Sequence, residues 1–149
     1  MRKSIIQTQP HIPLLLTAPI LGLIARIRQN NTAELQVYDT YLVISMGLLA
    51  GIFIGILLLA SLLYWLTRQR TGLPQLTSAH VLGTIGIVIY LTCTAGQLTG
   101  SNADTGIPMS IPEYRAWQDS NARFAMALVA LATIQMLFVV NLILKWIRG

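Results

Sequence analysis

The sequence predicts an all-α integral membrane protein, with three transmembrane helices and an N-terminal arm or short interfacial helix. Two observations carry that prediction. Of the 149 residues, 54% are hydrophobic and only 10% charged. Soluble domains carry roughly 25% charged residues, so this chain has too few polar groups to clothe a water-facing globule. The charges are also segregated: no Asp, Glu, Lys or Arg falls between Tyr41 and Leu66, between Ala79 and Gly100, or between Phe124 and Leu144. Each gap has the ~20 residues that a helix needs to cross about 30 Å of hydrocarbon.

Taken in order, the segment 1–31 opens basic (Arg2, Lys3), runs apolar from Ile12 to Ala25 and closes on Arg26 and Arg28. Pro13 and Pro19 interrupt it, and no small-x-small site precedes Arg26, which argues against a cleaved signal. It reads as an extended piece plus a short helix on the membrane surface or on a partner, its arginines reaching lipid phosphates or partner carboxylates. A fourth, short span is the alternative. Asn31-x-x-Glu34 has the form of a capping box and places the start of the first long helix there, with its span at about 41–66. Tyr64 and Trp65 mark the far interface, and Arg68 and Arg70 follow. Thr71-Gly-Leu-Pro74 stops the helix, Ser78 caps the next, and the second span covers about 79–98. The polar, glycine-containing stretch 99–109 reads as a loop. Ser110-x-x-Glu113 with Pro112 starts a last helix that is polar to Arg123 and spans at about 124–144. The whole of 1–149 forms one membrane domain.

With three crossings, the N-terminus and the 99–123 loop share a side. That side holds Arg2, Lys3, Arg26, Arg28, Arg115, Arg123 and all five acids, and the other holds Arg68, Arg70, Lys145 and Arg148. Basic-residue counting then favours a cytoplasmic N-terminus.

Catalysis within a membrane needs ionisable groups at depth, and the apolar cores carry no Asp, Glu, Lys or Arg. No nucleophile with its base, carboxylate pair or phosphate loop can be assembled, so the chain is expected to be no enzyme on its own. The +5 net charge is ordinary for basic residues flanking spans and does not imply nucleic acid. Cys93, the single cysteine, reads as a small packing residue. The strongest local pattern is Gly47-x-x-x-Gly51-x-x-x-Gly55, which bares the backbone along one face. It serves either packing against the other spans or a seam against a partner subunit or a flat pigment. Gly83 and Gly86 repeat the theme in the second span.

The polar residues left at depth are His80, Gln97, Gln135 and Asn141. All four are candidate pigment-contact or hydrogen-bond positions, with Gln135 and Asn141 expected to bond between helices. His80 has the most ligand potential, toward haem iron or chlorophyll magnesium, or it caps backbone near the interface. A haem held by two histidines would need His11, and Met46, Met126 or Met136 could substitute as the second axial ligand.

From Pro10 onward the sequence resembles subunit XI of the photosystem I reaction centre (PsaL). The arm Pro10-His-Ile-Pro-Leu-Leu-Leu-Thr-Ala-Pro-Ile20 is similar to that family's Pro-aromatic-x-Gly-x-Leu-x-Thr-Pro. Gly47-Leu-Leu-Ala-Gly-Ile-Phe53 is similar to its Gly-Leu-Ala-His-Gly-x-Phe, and the span from Gly83 to Cys93 has its small-residue texture. Trp117 and Phe124 resemble a Trp-x-x-Phe of the family with wider spacing. The resemblance implies a non-catalytic accessory subunit in a thylakoid or bacterial photosynthetic membrane. It would sit near the contact between reaction-centre monomers, against chlorophyll, carotenoid and lipid. The family's chlorophyll-ligating glutamate and histidine fall on Ser45 and Ala50, so no ligand residue carries over. Gly47, Gly51 and Phe53 carry over as packing positions. The competing class is a small b-type haem or anchor subunit of a respiratory complex.

Overall fold

The computed structural model describes residues 8–37, 40–69, 73–95 and 110–148. The apolar run near the N-terminus forms one helix, α1 (His11–Ile27). Pro13 lies in its first turn, where a missing N–H costs nothing, and Pro19 removes one rung further in. Leu14, Thr17, Ala18, Leu21 and Ala25 are buried, a single helical stripe. That stripe lies against the chain's own helices: α1 packs along the first long helix and also touches the second.

The expected helix start at Asn31 is replaced by a hairpin, so the described residues are mostly rather than wholly helical. Strands β1 (Thr32–Val37) and β2 (Thr40–Ser45) pair antiparallel, from Thr32 opposite Ser45 to Val37 opposite Thr40. Thr32, Val37, Thr40, Tyr41, Val43 and Ile44 are β-branched or aromatic, and such residues suit a pleated ribbon better than a helix. The N–H of Met46 donates to the carbonyl of Asn31 at 3.2 Å and closes the ribbon. The first span therefore begins later than expected, as α2 (Met46–Leu66). Its cap is Ser45, whose Oγ accepts from the Leu48 N–H at 3.3 Å.

Helix α3 (Pro74–Ala95) begins a turn before the expected cap at Ser78. Proline is preorganised for a first helical position. Ser78 sits inside the helix, its hydroxyl donating back to the Pro74 carbonyl at 3.0 Å. The end of the expected second span, with Gln97, lies outside the described residues.

Helix α4 (Ile111–Arg148) begins where Ser110 and Glu113 place it. The Glu113 carboxylate accepts from the Ser110 N–H at 2.9 Å and from its hydroxyl at 2.8 Å. These bonds, the backbone one foremost, hold the carboxyl below its ordinary range. A depressed folded-state value means that this helix start is secured above the ordinary carboxylate range. It loosens as pH falls through the depressed value.

Helices α2, α3 and α4 are long and apolar enough to cross a membrane, while α1 is shorter. Bonds at their ends fix the directions. Ser61 Oγ donates to the His11 carbonyl at 3.0 Å, and Met46 meets Asn31 at the other end, so α1 and α2 are antiparallel. The Arg28 guanidinium donates to the Cys93 carbonyl, so α1 runs parallel to α3. Arg28 thereby caps the negative end of α3, in place of the lipid or partner carboxylate expected for it. Thr77 meets Asn141 and Thr84 meets Gln135, which makes α3 and α4 antiparallel. Along α4 the buried positions Trp117, Phe124, Leu131, Phe138 and Lys145 recur every seventh residue, the spacing of a left-handed helix seam.

The glycines divide by what faces them. A Cβ at Gly83 would come within 2.5 Å of Ile134 Cδ1 on α4, whereas one at Gly86 meets nothing within 4 Å. Gly83→Leu is therefore expected to force the Ile134 side chain out of its rotamer and cost about 1–3 kcal/mol. Gly86→Leu is expected to change little, and reversible unfolding in detergent micelles compares the two.

Candidate functional site: a closed polar cluster among three helices

The buried face of α3 presents Thr77, His80 and Thr84 one turn apart, a consequence of helical spacing. All three are at most 4% exposed. Opposite them, α4 brings Gln135, Phe138 and Asn141, and α2 brings Tyr64. The Tyr64 hydroxyl lies 3.1 Å from His80 Nδ1. His80 Nε2 lies 3.3 Å from Gln135 Oε1, and Gln135 Nε2 donates to Thr84 Oγ1 at 3.2 Å. In this arrangement the imidazole carries its proton on Nε2 and accepts from tyrosine on Nδ1. Alongside, Asn141 Nδ2 donates to Thr77 Oγ1 at 3.0 Å. The Thr77 hydroxyl passes its own proton to the Leu73 carbonyl at 3.2 Å.

Rings seal the cluster. Phe138 stacks on His80 with centroids 4.4 Å apart and planes 16° apart, and it tilts against Tyr64 at 5.0 Å. On the other side of Tyr64, Lys145 Nζ lies 4.9 Å from the ring centroid, a cation–π contact. Between α2 and α4 an apolar groove of about 320 Å³ runs past Leu59, Leu63, Phe138 and Leu142, with Gln135 as its polar wall.

Of the expected site residues, His80, Gln135 and Asn141 are thus brought together as hydrogen-bonding groups between helices. Gln97 lies outside the described residues. His80 does not present a free nitrogen to iron or magnesium: both are engaged, and the ring is fully buried under Phe138. The methionines offer no second ligand to it. Met46 is buried in the core, and Met126 and Met136 are 63% and 69% exposed on α4. His11 turns its carbonyl to Ser61, and its Nδ1 has no partner. Among the described residues no group of three His, Cys, Asp or Glu side chains gathers to hold a metal ion.

Three members of the cluster escape the sequence reading. Tyr64 is fully buried and not part of an interfacial belt, whereas Trp65 beside it is 48% exposed. Lys145 reads as a helix-end charge and Phe138 as one apolar residue among many. Their seven-residue register with Phe124 and Leu131 is the signal that assigns them inward.

The expected packing positions also separate. Phe53 is in the core and Gly83 packs on α4. Gly47, Gly51 and Gly55 are exposed, with nothing within 4 Å of a Cβ built on any of them. The glycine face of α2 therefore takes no part in packing among the described residues. Comparison with protein-family models, with curated proteins and with solved structures finds no match for this chain.

Proposed function

We propose that the protein is a non-catalytic accessory subunit of a multi-subunit membrane complex. The glycine face of α2 would be its seam with a neighbour. The observation carrying this reading is the outward direction of Gly47, Gly51 and Gly55. Three glycines four residues apart give up helix propensity of about 1 kcal/mol each relative to alanine, and nothing among the described residues makes use of the space. A neighbouring helix or flat ring gains close backbone contact there. The interior supports the same reading, because its polar side chains are spent largely on one another. The resemblance to subunit XI of photosystem I suggests the identity of the complex, with chlorophyll and carotenoid as ring partners and a photosynthetic membrane as the location. A b-type haem subunit is the weaker reading, since His80 has both nitrogens engaged.

Gly51→Leu tests the seam. A Cβ at Gly51 meets no atom among the described residues, so insertion and folding are expected to match wild type. Recovery of the co-purifying subunits is expected to fall about tenfold, a loss of one ordinary packing contact at about 1.4 kcal/mol. Recovery at the wild-type ratio rejects the seam. The absorption spectrum of the purified complex separates the finer readings: chlorophyll bands favour the photosystem, and the reduced bands of b haem favour the alternative.

A further inference from the structure

No Asp or Glu falls in 1–33, 40–103 or 120–149, so α1, α2, α3 and the later part of α4 carry no acid. Lys145 is nevertheless drawn into the bundle. It is 5% exposed, and its Nζ lies 4.9 Å from the centroid of the Tyr64 ring. A cation–π contact offsets only part of what an ammonium loses on leaving water. The ammonium has three donors, and among the described residues none of them meets an acceptor. Nor is the nitrogen sealed in. The buried side-chain atoms left without a partner among the described residues are His11 Nδ1, Asn121 Oδ1 and Asn141 Oδ1. Lys145 Nζ is not one of them and stays open to the surroundings.

The groove between α2 and α4 leads to this ammonium. Phe138 and Leu142 belong to its α4 wall, and Lys145 continues the same helical stripe toward the helix end. Leu59 and Leu63 belong to its α2 wall, and the residue after Leu63 is Tyr64. Phe138 and Lys145 both touch that ring, at 5.0 and 4.9 Å from its centroid. Gln135 turns its amide to His80 and Thr84, which leaves the groove to apolar contacts. Its volume of about 320 Å³ takes on the order of ten groups the size of water, ~30 Å³ each, enough for a length of acyl chain.

We propose that this end of the bundle binds an anionic glycerophospholipid of the surrounding bilayer, with one acyl chain in the groove and the phosphate on Lys145 Nζ. The phosphate oxygens accept the free ammonium donors as charge-assisted hydrogen bonds. Basic pockets between transmembrane helices hold such headgroups elsewhere. Net charge selects the lipid: Arg68 and Arg70 follow α2 and Arg148 ends α4, so the second, positive group of a zwitterionic headgroup meets only like charge.

Native mass spectrometry of the full chain, released from detergent with equal amounts of dioleoylphosphatidylglycerol and dioleoylphosphatidylcholine, tests the site. Phosphatidylglycerol is expected to be retained in preference. Lys145→Gln removes the charge and is expected to lower that preference about fivefold, the worth of one basic residue at an anionic headgroup. Lys145→Arg is expected to keep it. Leu142→Trp fills the groove and is expected to lower retention of both lipids with Lys145 intact. Arg68→Gln removes the same charge from the Trp65 ring instead and leaves the preference in place. Equal retention of the two lipids by the wild-type chain overturns the proposal without any variant. So does an equal loss in Arg68→Gln and Lys145→Gln, which makes the preference an effect of overall surface charge. Displacement of the lipid by inorganic phosphate overturns it too, because the groove then plays no part.

Discussion

Truncating Phe138 to alanine is expected to cost about 3 kcal/mol, at the lower end of what buried phenylalanines lose. The lower end applies because lipid is about as apolar as the bundle interior, so little transfer free energy is at stake and lost packing dominates. Phe138 is 6% exposed and makes two ring contacts, stacked on His80 and tilted on Tyr64. It also forms one wall of the groove between α2 and α4. Its removal joins the new cavity to that groove and opens the His80–Gln135 bond to the surroundings. The cost therefore includes polar groups losing their shield. Met136→Ala is the control, since Met136 is 69% exposed on the same helix. It is expected to stay within about 0.5 kcal/mol of wild type. Reversible unfolding in mixed micelles measures both, and equal losses in the two variants would remove the cluster from any role in stability.

The parts of the fold that charge alone decides are readable in the sequence. Three uncharged stretches become α2, α3 and most of α4, and Ser110 with Glu113 starts α4 as its spacing says. What fails is decided by tertiary partners. Ala33, Glu34, Leu35 and Gln36 suit a helix locally, and Asn31-x-x-Glu34 imitates a cap. The pairing of Thr32–Val37 with Thr40–Ser45 outweighs both, because the β-branched and aromatic residues of the two strands suit a pleated ribbon. For α1, flanking arginines and two prolines suggest a surface arm, yet Arg28 finds its acceptor at the end of α3.

The site shows the same division. Depth in the sequence singles out His80, Gln135 and Asn141 as groups needing partners, and they partner one another's helices. Spacing puts Gly47, Gly51 and Gly55 on one face without saying which way that face turns. Tyr64 beside Trp65 imitates an interfacial pair, and only packing against Phe138 shows that the two rings point in different directions.

If α1 crosses the membrane beside α2, its antiparallel seating reverses the orientation that three crossings imply. If α1 is embedded with its neighbours, the His11 end of α1 lies beside the Ser61 end of α2, so there are four crossings and both chain ends share a side. That side then has Arg2, Lys3, Arg68, Arg70, Lys145 and Arg148 and no acid. The opposite side has Arg26, Arg28, Arg115 and Arg123 together with Glu34, Asp39, Asp104, Glu113 and Asp119. Counting basic residues now places the Arg68 side in the cytoplasm and the hairpin outside. At 17 residues, α1 spans about 25 Å, short of the ~30 Å hydrocarbon layer. Local thinning of the bilayer covers that mismatch at fractions of a kcal/mol per Å. The expected result is all-or-none labelling by a membrane-impermeant maleimide in a Cys93→Ser background, where the Arg28 bond survives because it uses the backbone carbonyl. Ser110→Cys reacts in intact cells, and Thr8→Cys and Gln69→Cys react only after lysis. Thr8→Cys and Gln69→Cys reporting from opposite sides would return α1 to the membrane surface and restore three crossings.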